Sequence, residues 1–200
     1  GNGAYFDGED DFLTLGVMDE VNQTTTGQYL AGAWIRPSRT TGTQYILGTS
    51  RFNDKDGFGF GLEGDELRFD LFVPNDINNN PKSYVAITSN ADIPINEWTH
   101  VAAWSTPVSG NRLQIVFYVN GTLISAHHQD IITPLPPASR DELMIGALYQ
   151  LNTYGSEAEV PDEELRIAVA HFNGRIDEIA LITSTPPSPD DILSEVSKLQ

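Results

Sequence analysis

The sequence predicts an all-β protein, a two-sheet antiparallel sandwich closed by a short C-terminal helix. Three observations carry this. Apolar residues make up 40% of the 200 positions, and they fall into many short runs rather than long blocks. Clusters of Gly, Pro, Asn and Asp separate those runs, the punctuation of short strands joined by turns. One stretch near the end has the chemistry of a helix start. A chain of this length fits a single sandwich domain over residues 1–200, and no internal repeat calls for a second.

Ala4-Tyr5-Phe6-Asp7-Gly8 reads as a first strand ending in a turn. Gly8-Glu9-Asp10-Asp11 is an acidic turn, and Phe12 to Leu15 resumes an extended run. In the next strand Leu30, Gly32 and Trp34 oppose Tyr29, Ala31, Ala33 and Ile35. Few are polar, so both faces are expected to be covered. Pro37 ends the strand by removing a ladder donor. Thr43 to Thr49 is extended, and Arg51 to Gly57 is a polar loop. Gly57-Phe58-Gly59-Phe60-Gly61-Leu62 alternates glycine with bulky residues. That leaves one face flat, open to close approach by a backbone or a ligand. Leu67, Phe69, Leu71 and Val73 take one side of the following strand, and Arg68, Asp70 and Phe72 the other.

Asp76 to Pro81 is a loop, and Ser83 to Thr88 and Glu97 to Trp104 are strands. Asn120-Gly121, between Arg112–Val119 and Thr122–Ala126, marks a hairpin because both residues accept positive φ. Leu113, Ile115, Phe117 and Val119 should face one way, and Gln114, Val116 and Tyr118 the other. Leu143 to Leu148 is a strand, and Gln150 to Glu164 a long acidic loop. Phe172 to Ile182 is the last strand, with a parity fault: Phe172, Gly174 and Ile176 are out of step with Ile179 and Leu181. Either the strand crosses between environments or it carries a bulge at Asp177-Glu178. A bulge would turn a carboxylate and a carbonyl aside together, as a hard cation uses; alternatively both faces are buried and Asp177 simply accepts backbone N–H bonds. Spacing leaves both open. In the tail Ser188 suits an N-cap, Pro189 the first turn, and the acids that follow the helix N-terminus, which gives a helix over about 188–199.

Twenty-eight acidic against eleven basic residues give a formal charge of -17. Such a surface repels phosphate backbones, which makes nucleic acid and anionic lipid poor partners. No apolar run is long enough to insert in a membrane. There is no cysteine, hence no disulfide and no thiolate metal site. No signal peptide is visible at Gly1, so the expected context is either cytosolic or, the preferred reading, a fragment of a longer secreted protein with flanking domains.

Five segments, in this order, carry a resemblance: Ala4-Tyr5-Phe6-Asp7-Gly8, Ala33-Trp34-Ile35-Arg36-Pro37, Glu97-Trp98-Thr99-His100-Val101-Ala102, Phe117-Tyr118-Val119-Asn120-Gly121-Thr122 and Phe172-Asn173-Gly174-Arg175-Ile176-Asp177-Glu178-Ile179. The chain resembles laminin-G-like domains of the concanavalin A-like lectin/glucanase group over nearly its whole length. The resemblance implies a jelly roll with its first and last strands paired and a short closing helix. It also implies an extracellular or cell-surface setting and one structural calcium, with Asp177 as a ligand. Asp54-Lys55-Asp56-Gly57 adds Asp54 and Asp56 as metal candidates, since alternating carboxylates before a glycine occur in calcium loops. A solvated turn is the other reading of that segment.

Aromatic planes bind sugars by stacking, so Trp104, Tyr118, Tyr149 and Tyr154 are the candidate carbohydrate contacts; Tyr149 and Tyr154 flank a long loop. Trp34 and Trp98 sit in family motifs and are expected in the core. The Glu-x-Asp-x-x-Glu strand of the group's glucanases has no match here, and neither does a serine nucleophile elbow. The expected function is a non-catalytic carbohydrate-binding or adhesive module whose partner is a glycan or a cell-surface protein. The alternatives are a structural spacer or protein-interaction domain, and a glycoside hydrolase or polysaccharide lyase with an unfamiliar site.

Overall fold

The structure, a computed structural model, describes residues 3–17, 28–49, 57–73, 82–87, 91–108, 112–130, 142–151 and 166–183. Every regular element among them is a strand. Sheet I has the order β1 (Ala4–Asp7), β14 (Asn173–Ile182), β3 (Tyr29–Pro37), β8 (Thr99–Val108), β9 (Arg112–Val119) and β10 (Thr122–Asp130). Sheet II has the order β2 (Leu13–Val17), β11 (Glu142–Ile145), β4 (Thr43–Gly48), β5 (Gly57–Glu63), β6 (Glu66–Val73) and β7 (Lys82–Ile87). A separate pair joins β12 (Leu148–Leu151) to β13 (Arg166–Val169). All pairings are antiparallel. The first and last strands pair, with Ala4 opposite Ile176 and Asp7 opposite Asn173. The two-sheet antiparallel sandwich is as the alternation predicts.

One core lies between the sheets. Sheet I sends in Phe6, Ala33, Ile35, Val101, Ile115 and Phe117, and sheet II answers with Ile46, Phe58, Phe60, Leu62, Phe69 and Ile145. Tyr29 stacks on Phe58 with centroids 4.4 Å apart, tying the two layers across the gap. In β9 the predicted split holds: Leu113, Ile115 and Phe117 join this core, while Val116 and Tyr118 join a small cluster on the other face. Asn120 and Gly121 turn the β9–β10 hairpin at φ of 49° and 74°, as a turn with two positive φ values requires.

The bulge at Asp177-Glu178 is present. Pairing with β3 slips between Asp177 and Ala180, and Glu178 takes φ 47°. The extra residue restores Ile179 and Leu181 to the core side, where both pack against the main cluster. Elsewhere the structure departs from expectation. Leu143 to Leu148 is two strands, because Gly146 takes φ 84° and redirects the chain out of sheet II. Trp34 and Trp98 are half-buried and lie outside the main core. Their parity puts them on the outer side of sheet I, and Trp98 covers Gly3, where an added Cβ would lie 2.8 Å from its Cη2. The closing helix over about 188–199 falls outside the described residues.

Candidate functional site

The most structured polar group among the described residues lies on the outer face of sheet II. Alternation in β6 turns Leu67, Phe69 and Leu71 inward and leaves Arg68 and Asp70 outward. Opposite them on β5 are Gly61 and Gly59. The missing side chains make room: the Tyr45 ring and Leu148 lie over Gly59, where a Cβ would come within 2.6 Å and 3.0 Å of them. The flat glycine face is therefore filled by the chain itself. Tyr45 and Leu148 form a small buried cluster with Ala170 packed on it, so the β12–β13 pair sits against this side of sheet II.

Asp70 is fully buried and accepts three hydrogen bonds. The Tyr45 hydroxyl donates to Oδ2 at 2.5 Å, Arg68 Nε to the same oxygen at 2.7 Å, and Arg68 Nη2 to Oδ1 at 3.0 Å. Arg68 Nη1 donates to Glu63 Oε2 at 2.7 Å, and the Thr43 hydroxyl reaches that same oxygen at 2.6 Å. Side-chain exposure rises along this chain from 0% at Asp70 through 16% at Arg68 to 37% at Glu63. The Thr43 hydroxyl, helped by Arg68, outweighs partial desolvation and holds the Glu63 carboxyl below its ordinary range. Burial works to lower the Arg68 pKa, but the hydrogen bonds and charge of Asp70 more than offset it, so the guanidinium is raised and stays charged. The group is a donor–acceptor array anchored at its buried end and open at Glu63.

Two of the expected aromatic contacts have described side chains, and both are on sheet I. Trp104 and Tyr118 come together on the outer face of sheet I with Ala102 and Val116. Burial pushes the Tyr118 hydroxyl pKa up, and Leu123, opposite Tyr118, is 56% exposed. His100 lies on the same face, fully buried and edge-on to Trp34, with centroids 5.5 Å apart and neither ring nitrogen hydrogen-bonded. Desolvation lowers its pKa. Tyr149 is in β12, paired with Ala168 and next to Leu148. Tyr154, Asp54 and Asp56 lie outside the described residues.

Asp177 is half-buried, and its Oδ1 accepts the Glu178 N–H at 3.0 Å. It belongs to no group of three carboxylate or imidazole ligands among the described residues. Among the described side chains it would offer a hard cation one carboxylate, with backbone carbonyls supplying the further oxygens calcium takes. Asp7, Asp10 and Asp11 do converge, with oxygens within 4.8 Å of one another. Their hydrogen bonds hold the turn: Asp7 Oδ1 accepts from Glu9 and Asp10, and Asp11 Oδ2 accepts from the Asp7 N–H. The Glu9 N–H bond is the largest influence holding the Asp7 carboxyl low.

Sequence reasoning passed over Tyr45, Glu63, Arg68 and Asp70 as site residues. A signal was there: an outward Arg-x-Asp on a strand whose other face is wholly apolar. What it lacked was the register that sets Tyr45 beside them.

A family described as the concanavalin A-like lectin/glucanases superfamily, of laminin G type, matches residues 7–192. No curated protein matches the sequence. Among solved structures, the CBM40 module of the Ruminococcus gnavus IT-sialidase bound to α2,3-sialyllactose is similar at TM-score 0.59 and 13% identity, over 96% of each chain. The botulinum neurotoxin serotype G binding domain is similar at TM-score 0.56 and 16% identity, over 96% of this chain and 40% of that one. Mouse laminin α1 domains LG4-5 are similar at TM-score 0.55 and 14% identity, over 92% and 43%. At these identities the likeness is one of fold.

Proposed function

The chain belongs to the concanavalin A-like lectin/glucanase superfamily, and from that premise we propose that it is a non-catalytic glycan-binding or adhesive module acting outside the cell. We assign the contact to the outer face of sheet II, around Thr43, Glu63 and Arg68. One observation carries this reading: a guanidinium anchored on the buried Asp70 carboxylate, on an outward sheet face, that ends in the half-exposed Glu63 carboxylate. Sugar hydroxyls both donate and accept, and a site holding a fixed acceptor beside fixed donors matches them. The similarity to a module bound to sialyllactose supports a glycan as the ligand class. The absence of the glucanase Glu-x-Asp-x-x-Glu pattern supports a binding role over a catalytic one. Glycan-array screening followed by titration tests it: Glu63→Ala should weaken binding at least about tenfold, roughly the worth of one charge-assisted hydrogen bond. An array without hits at high protein concentration would remove the proposal.

A second reading, a protein-binding face, is favoured by exposed Leu123 beside Tyr118 and Trp104 on sheet I. If glycans bind there instead, Trp104→Ala abolishes binding and Glu63→Ala does not. A structural calcium ligated by Asp177 remains a proposal from the family resemblance. Chelation of metal-loaded protein should then lower the melting temperature, because an ion bound only by the folded state adds about 2.7 kcal/mol at a hundred times its Kd. An unchanged melting curve would end the calcium proposal.

A further inference from the structure

We infer that the face around Glu63 selects neutral glycans and disfavours those ending in an anionic sugar. This rests on the glycan-binding reading above and deepens it. Anionic sugars are held by cations with free charge, and Arg68 is the cation of this cluster among the described side chains. Its charge is already committed: Nε and Nη2 bind both oxygens of Asp70, and Nη1 binds Glu63. Two carboxylates answer one guanidinium, so Glu63, Arg68 and Asp70 together carry -1, from +1 and twice -1. Tyr45 and Thr43 add hydrogen bonds to this cluster and no positive charge.

The open end of the cluster is the negative one. Asp70 and the head of Arg68 lie beneath, and Glu63 is the most exposed of the three. A sugar carboxylate would therefore approach Glu63 first, within a chain of net charge -17. A neutral glycan meets no such barrier. Both recorded bonds to Glu63 use Oε2, which leaves Oε1 to accept a sugar hydroxyl. A guanidinium has five N–H groups, and the three recorded bonds leave two to donate to hydroxyl oxygens. The Thr43 oxygen, which donates its proton to Glu63, keeps its lone pairs for a further donor. The site thus pairs acceptors with donors while presenting net negative charge.

The test is a calorimetric titration with a neutral oligosaccharide and with the same oligosaccharide capped by a carboxylate-bearing sugar, each at low and high salt. The neutral form should bind about tenfold more tightly at low salt, and the gap should narrow at high salt as the repulsion is screened. Glu63→Gln keeps the size and the Thr43 contact while removing the charge, so it should narrow the gap at low salt. Tighter binding of the anionic form, or a gap indifferent to both salt and Glu63→Gln, overturns the inference and leaves the glycan reading standing. Binding of neither form removes both.

Discussion

Asp70 and Glu63 share the same guanidinium, yet removing them should have very different consequences. Asp70 is fully buried and answers both Tyr45 and Arg68. Asp70→Ala takes a buried acceptor from the Tyr45 hydroxyl and from partly buried Arg68, which keeps Glu63, and should cost about 2–4 kcal/mol in urea unfolding. Glu63 is 37% exposed, and Glu63→Ala should cost under about 1 kcal/mol. Equal losses would mean that the burial gradient does not set the energetics. His100 makes a second prediction at this scale. Its pKa in the folded state lies below the unfolded value of about 6.5, so its contribution is complete above that pH and declines as pH falls toward the folded pKa. The limiting slope is about 1.4 kcal/mol per pH unit. Trp34 and Asn120 flank it in register, and Asp177, the acid of that row, lies two strands away at about 10 Å. No carboxylate of that row is therefore close enough to rescue the charged form. His100→Phe should flatten stability between pH 6.5 and 5; the wild-type slope persisting in the variant would contradict this. Of these residues, the sequence alone showed Arg68 and Asp70 on one strand face, because alternation in β6 is clean. It gave no hint of Tyr45, whose approach depends on pairing between β4 and β5.

Elements were legible where strand period and turn chemistry agree. The β9–β10 hairpin follows from Asn120-Gly121, and the bulge in β14 is one of the readings its broken parity left open, which the pairing with β3 decides. The break between β11 and β12 was not legible, since Leu143-Met144-Ile145-Gly146-Ala147-Leu148 reads as one apolar run. A glycine within such a run can be tolerated or can turn the chain, and only the packing decides. Here Phe6 from sheet I lies against Gly146, where a Cβ would come within 2.5 Å of two ring carbons. Gly146 N–H also donates to the Ile46 carbonyl, and its own carbonyl accepts from Phe172. Gly146→Ala meets both the Phe6 ring and a φ of 84°, and should cost about 2–4 kcal/mol in chemical denaturation. A change within about 0.5 kcal/mol would show that the corner is less constrained than its geometry implies.

At the scale of the molecule, pairing of the first and last strands makes the sandwich depend on both ends of the chain. A polar clasp reinforces that closure from the second sheet. Buried Gln44 on β4 accepts the Asn173 N–H at 2.9 Å, while Asn173 Nδ2 donates to the Asp7 carbonyl at 2.5 Å. The architecture was readable because inward and outward residues alternate with few errors. The proposed binding face was not, since its residues come from three strands, β4, β5 and β6, and Trp104 and Tyr118, which drew attention, lie on the other sheet. That separation makes the central assignment testable by one titration. A glycan chosen from the array is titrated into wild-type protein, Glu63→Ala and Trp104→Ala. The sheet II assignment predicts binding at least about tenfold weaker for Glu63→Ala and unchanged for Trp104→Ala; loss with Trp104→Ala and full retention with Glu63→Ala would contradict it.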